Sequence, residues 1–176
     1  TLSERQLAYA REKVKRLGLE SRVTFELKDY NHVEGTFDKI ASIGMYEHIG
    51  LANVDAYFKT VRRVLAPDGL FLNHAIARRA KRKQRAFSAR AEQRALQKYI
   101  FPGGELDDIG HTVAAMERAG FEVHDVEGWR MHYARTLEIW SAALEAGKDE
   151  AVELQSQEVY DRYMRYLTGC AELFRD

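Results

Sequence analysis

Residues 37–50 read FDKIASIGMYEHIG, and residues 65–76 read LAPDGLFLNHAI. Phe37–Gly44 is a short apolar run that ends at a glycine, the pattern of a strand. Val54, Tyr57, Phe58, Val61 and Leu65 recur at helical spacing, so the spacing predicts a helix over 54–65. Pro67-Asp68-Gly69 is a turn signal, and Leu70–Ile76 is mostly apolar, as a buried strand would be. Strand, helix, turn and strand in that order make a parallel crossover unit. In open α/β sheets, ligands bind beyond the carboxyl ends of the strands. Glu47 and His74 both fall at, or just past, such ends.

Working outward, Ser3 and Gln6 fit a capping box, and Leu7, Ala10, Val14 and Leu17 keep helical spacing, so a helix is expected over 4–17. Residues 22–27 (RVTFEL) alternate apolar and polar, which predicts another strand. Downstream, 107–119 reads as a helix closed by Gly120, 121–129 as a strand, and 133–144 and 150–174 as helices. The last is rich in aromatics (Tyr160, Tyr163, Tyr166, Phe174). Helices alternating with strands, with no repeat and no linker, argue for a single doubly wound α/β domain over 1–176. Residues 78–98 interrupt it: they hold nine Lys and Arg against the single acid Glu92. The aromatic loop YIFPGG follows at 99–104, so a basic helical insertion is expected around 78–104.

The 176 residues carry 27 basic and 27 acidic side chains, a net charge of zero that excludes a globally basic nucleic-acid binder. Outside 78–98 the balance is 18 bases to 26 acids, so the neutral total conceals a polarised molecule. Hydrophobic residues at 45% and charged residues at 31% argue against disorder. One cysteine, Cys170, excludes a disulfide framework and a multi-cysteine zinc site, and it fits a reducing, cytoplasmic location. No apolar run approaches the roughly 20 residues of a membrane span. Glu47, His48 and His74 lack the second carboxylate or HxxxH spacing that would suggest a metal, so none is expected.

Six motifs sharpen this reading: TLSxxQ at 1–6, SIGMYEHIG at 42–50, FLNH at 71–74, YIFPGG at 99–104, HYARTLEIW at 132–140 and YLTGCAELFR at 166–175. Together, and in this order, they resemble the cyclopropane-fatty-acyl-phospholipid synthases and the mycolic acid cyclopropane synthases and methyltransferases, which are class I methyltransferases that use S-adenosylmethionine (SAM). The resemblance implies methyl or methylene transfer from SAM to the double bond of an unsaturated acyl lipid, a phospholipid or a carrier-bound mycolyl chain. A carbocation forms, and proton loss to a bound bicarbonate closes a cyclopropane ring; other fates give a methyl branch. An alkene is a poor nucleophile, so the donor must be held close and in line in a dry site. A carbocation is stabilised by aromatic faces, for which Tyr46, Tyr99, Phe101, Tyr133 and Tyr166 are candidates.

Carried over by motif position, the resemblance implies that Glu47, His74 and Tyr133 hold the bicarbonate, with Cys170 nearby. Glu47 either orients His74 or accepts the bicarbonate proton. Cys170 is either a small core hydrophobe or a neighbour of the base. Thr1, Leu2 and Gln6 would lie beside the ribose and methionine end of SAM, Asp29 and Tyr30 would flank the adenine, and Ile43, Gly44 and Met45 would line the floor. The basic stretch implies peripheral contact with an anionic inner membrane face or an acidic acyl carrier protein, at about 1 kcal/mol per basic residue near an anionic surface. Nucleic acid is not an expected partner.

The glycine-rich SAM loop of that family has no counterpart before any helix here. The class I sheet runs 3-2-1-4-5-7-6, and this chain supplies strands 3, 4, 5 and 6. The final strand of that sheet would follow Asp176, so the chain is expected to be cropped at both ends from a longer protein, with roughly a hundred residues before Thr1. The alternatives are a SAM methyltransferase of another small molecule and a catalytically inactive lipid-binding module.

Overall fold

The computed structural model describes residues 1–80 and 103–175. Its helices are α1 (Glu4–Arg16), α2 (Val54–Val64), α3 (Ile109–Arg118), α4 (Arg130–Ala146), α5 (Lys148–Leu154) and α6 (Gln157–Arg175). Its strands are β1 (Phe37–Ile43) and β2 (Leu65–His74). The described part of the basic stretch ends at residue 80, and most of the expected insertion, with Tyr99 and Phe101, lies outside the described residues. The chain divides into two compact units, one formed by residues 1–80 and 104–123 and the other by 103 and 124–175.

In the first unit β1 and β2 pair in parallel, connected through α2, as the alternation predicted. Ile40 faces Phe71 across the pair, and Ile43 faces His74 at its carboxyl end. The strand after α2 begins at once rather than after the Pro67-Asp68-Gly69 turn: Phe37 pairs with Leu65 and Lys39 with Leu70, so 66–69 bulge out. The core is aromatic. Tyr57 and Phe58 are fully buried from the inner face of α2 and meet Tyr46, Ala115, Ile40, Phe71 and Phe121. The five rings of Tyr46, Tyr57, Phe58, Phe71 and Phe121 form a chain of contacts with centroids 5.0–6.4 Å apart. Ser3 caps α1 by accepting from Gln6 N, and Asp108 caps α3 by accepting from His111 N.

Two expected strands are not formed. Residues 23–29 join no ladder among the described residues. Their backbone bonds go elsewhere: Lys28 N donates to Thr1 O, Thr1 N to Glu26 O, and Arg11 Nη2 to Phe25 O. The alternation of RVTFEL is real, yet a strand needs a neighbour, and Val23, Phe25 and Leu27 stay exposed. Residues 121–129 are irregular for the same reason, with Phe121 N closing α3 on Met116 O. The apolar outer side of the sheet, Ile43, Leu70 and Leu72, is also exposed.

The second unit is helical. Leu137 of α4 is buried against Leu167 and Ala171 of α6, with Tyr166, Cys170 and Phe174 around them. Arg175 Nε donates to Glu138 Oε1 at 2.7 Å. Two of the six motifs thus meet side to side. The helix expected over 150–174 is broken at Gln155, where the backbone leaves helical geometry. Among the described residues, no helix is long and apolar enough to cross a membrane.

Candidate functional site

Beyond Ile43 the chain turns at Gly44, whose φ of 66° lies in the left-handed region that glycine tolerates. Gly44 N donates to the carbonyl of His74 at 2.9 Å, which ties the ends of β1 and β2 together. A Cβ built on Gly44 would meet nothing within 4 Å, so open space adjoins the turn. Tyr46–His48 then form one 3-10 turn, in which Tyr46 and Glu47 are buried. The Glu47 Oε1 accepts from Ile76 N at 2.7 Å, just past the end of β2. Its Oε2 is buried and finds no hydrogen-bond partner among the described residues. Burying a carboxylate oxygen without a donor is costly, so such an oxygen marks a place where a donor belongs.

The structure brings Glu47 and His74 to the same ends of the paired strands in the first unit. Of the expected aromatic faces, Tyr46 is a core ring: it is 5% exposed and packs on Tyr57 and Phe58. Its hydroxyl donates to Asp107 Oδ2 at 2.7 Å. Burial first, and then that bond to a carboxylate, pushes the Tyr46 hydroxyl well above the usual tyrosine range. Tyr57 is pushed up to about 12, chiefly by burial.

Asp107 was not singled out by the sequence, yet it is the centre of a polar cluster. It is 3% exposed and receives Tyr46, Thr112 Oγ1 at 3.1 Å, Asp108 N at 2.9 Å and His111 Nδ1 at 2.8 Å. Burial would raise its carboxyl, but the bonds from Tyr46, His111, Asp108 N–H and Thr112 outweigh it and hold the carboxyl below the ordinary carboxylate value. The legible signal is the run DDIGHT at 107–112: Asp108 caps the helix with His111 three residues on, and Asp107 sits four residues from that same histidine.

The residues expected along the cofactor are placed as follows. Thr1 Oγ1 donates to Gln6 Oε1 at 2.7 Å, and Leu2 is exposed beside them. Asp29 caps a 3-10 turn at Tyr30–His32 by accepting from Asn31 N at 2.9 Å. Tyr30 stands edge-on to Tyr57 at 5.6 Å. Ile43 is exposed and Met45 packs on the aromatic core. Tyr133 and Cys170 belong to the second unit. There the Tyr133 ring lies 5.7 Å from Phe174, and Cys170 is half-buried, its thiol pushed up by burial.

Comparison with known proteins gives this geometry a family. The family described as mycolic acid cyclopropane synthetase matches residues 1–176. Cyclopropane mycolic acid synthase 3 of Mycobacterium tuberculosis is 38% identical over 181 aligned residues, covering 99% of this chain and 63% of the relative. Methoxy mycolic acid synthase MmaA3 of the same organism is 36% identical, covering 99% and 62%. Among solved structures, mycolic acid cyclopropane synthase CmaA1 complexed with SAH and CTAB superposes with a TM-score of 0.86 at 37% identity, covering 99% of this chain and 64% of that one. Cyclopropane synthase MmaA2 from Mycobacterium tuberculosis gives 0.85 at 32% identity, covering 99% and 64%. This chain thus spans a little under two thirds of the relatives it matches. The likenesses show the α/β fold of the class I methyltransferases, with helical additions. With a match from end to end at these identities, the chain belongs to the mycolic acid cyclopropane synthetase family.

Proposed function

We propose that this chain belongs to a SAM-dependent lipid C-methyltransferase, which acts on the double bond of an unsaturated acyl chain to give a cyclopropane or methyl-branched product. Family membership supports the class, and the relatives' names point to mycolic acid substrates. The observation that carries the chemistry is Glu47: a buried carboxylate at the strand ends, anchored through one oxygen to Ile76 N, with its other oxygen lacking a donor among the described residues. A hydrogencarbonate O–H is a donor of the right size and kind for that oxygen, so the residues present fit the anion.

The cofactor fits on a separate observation. Gly44 turns with φ 66° into open space, which lets a ligand approach the backbone where any side chain would stand in the way. Thr1, Leu2, Gln6, Asp29, Tyr30, Ile43 and Met45 are the other residues we assign to SAM, on their motif positions. SAM, when bound, supplies an electrophilic methyl group. With the anion bound, Glu47 Oε2 would accept its O–H hydrogen bond and so orient it, and His74 would offer a ring N–H from the same strand ends. Tyr133 and Cys170 are carried in the proposal on the resemblance of their motifs. The basic stretch 78–98 is assigned to an anionic membrane surface or an acidic carrier on its charge alone.

The test is label transfer. The full-length protein, given methyl-labelled SAM and vesicles of unsaturated phospholipid or a mycolyl-chain acceptor, is expected to place label in the acyl chains, read by mass spectrometry. SAM binding with label in a small soluble acceptor instead would overturn the lipid assignment. SAM binding with label nowhere would favour an inactive module.

A further inference from the structure

We infer that Asp107 is a positioning residue for Glu47, acting through the hydroxyl of Tyr46; the inference rests on the reading of Glu47 as the carboxylate of the site. Tyr46 and Glu47 are consecutive in a single 3-10 turn that has no side-chain cap of its own. Something else must therefore hold the turn, and three bonds do so. Tyr46 Oη donates to Asp107 Oδ2 at 2.7 Å. The Glu47 carbonyl accepts from Glu105 N at 2.8 Å, two residues before Asp107. The Glu47 Oε1 accepts from Ile76 N at 2.7 Å, and two residues on, Arg78 N donates to the Asp107 carbonyl at 2.9 Å. Two of these bonds involve Asp107 and Glu105 two residues before it, and the third comes from a segment that Arg78 ties to the Asp107 carbonyl.

A bland explanation would make Asp107 the cap of α3, but Asp108 already fills that place by accepting from His111 N at 3.0 Å. Asp107 instead spends its carboxylate on side chains, and it is almost wholly buried in doing so. His111 Nδ1 lies 2.9 and 2.8 Å from its two oxygens, and Thr112 Oγ1 lies 3.1 Å from Oδ2, so the carboxylate is fixed from the helix side while it fixes Tyr46 on the other. Such a chain of rigid partners keeps a reacting group in place, and a misplacement of about 1 Å can cost of order 10²-fold in rate.

The experiment is a double-mutant cycle on the full-length protein, with SAM and the acyl acceptor that takes label. Asp107→Asn is expected to lower kcat by roughly tenfold while KM for SAM moves by less than about twofold. Tyr46→Phe, which removes one oxygen and keeps the ring packing, is expected to move kcat in the same direction. In a Glu47→Gln background, Asp107→Asn is expected to change kcat no further, because the group it positions is already gone. A residue that merely stabilises the fold would cost the same factor in both backgrounds, and that result would overturn the inference. So would wild-type kcat in both Asp107→Asn and Tyr46→Phe. If Asp107→Asn does not fold, Tyr46→Phe replaces it in the cycle. Wild-type turnover in Glu47→Gln alone is a separate outcome: it would sink the assignment of Glu47, and this inference with it.

Discussion

Glu47 shows what one position can and cannot do alone. The backbone of Ile76 holds one of its oxygens, and the other is buried with no hydrogen-bond partner among the described residues. Glu47→Gln keeps the shape and replaces the carboxylate; His74→Ala removes the ring at the end of the paired strand. We expect each to cut turnover by roughly 10²-fold or more, the scale of losing an acid–base group. SAM affinity, read by calorimetry, should hold. Wild-type rates in both variants would show that the base lies elsewhere. Tyr46, one residue away, teaches the opposite lesson. An aromatic beside a catalytic candidate looks like part of the site, yet its ring is core and its hydroxyl is committed to Asp107.

At the scale of elements, β2 is the informative case. Pro67-Asp68-Gly69 is turn chemistry in any context, but here the strand runs through it by bulging, and pairing resumes at Leu70. A bulge adds residues to one strand without losing the register beyond it. Gly69 makes this bulge possible. A Cβ there would stand 2.7 Å from Leu65 Cδ1, 2.8 Å from Leu65 Cγ and 3.0 Å from the Ala66 carbonyl oxygen. Leu65 is buried and cannot swing away freely. Gly69→Ala should therefore destabilise the protein by about 1–3 kcal/mol, the range for forcing atoms into a filled space. A thermal melt checks it, and an unchanged midpoint would mean the bulge is looser than this packing. Gly44→Ala meets no atom, and its cost would come from the left-handed backbone alone, about 1–2 kcal/mol.

For the whole molecule, burial of titratable groups makes stability depend on pH. Tyr57 titrates at 10.0 when free and is pushed up to about 12 by burial. The folded state therefore keeps a proton that the unfolded chain gives up. Its stabilisation is complete below pH 10 and is lost as pH rises toward about 12. Asp107 works in the other direction: its folded value lies below the ordinary 3.8, so its contribution is present above that pH and lost as pH falls below it. Melting temperature against pH should thus fall at both ends. In Asp107→Asn the acid limb should be clearly shallower, and the alkaline limb slightly shallower, because Tyr46 loses the carboxylate that helps burial raise it. An unaltered acid limb would mean that other carboxylates dominate acid unfolding.

Most of the helices, β1 and the ends where Glu47 and His74 sit were legible in the sequence because they depend on local periodicity, caps and glycines, while the break at Gln155 was not. The family was legible because six short motifs keep their order along the chain. Residues 22–27 and 121–129 misled for a definite reason: alternation states that a segment can be a strand, while only a neighbouring backbone makes it one. The cluster at Asp107 was illegible for a related reason. Tyr46 and Asp107 are 61 residues apart, and nothing in either neighbourhood says that they touch. Local chemistry, then, chose the elements and marked Glu47; the tertiary fold alone decided which distant side chains would hold it, because hydrogen bonds act over about 3 Å of space and not along the chain.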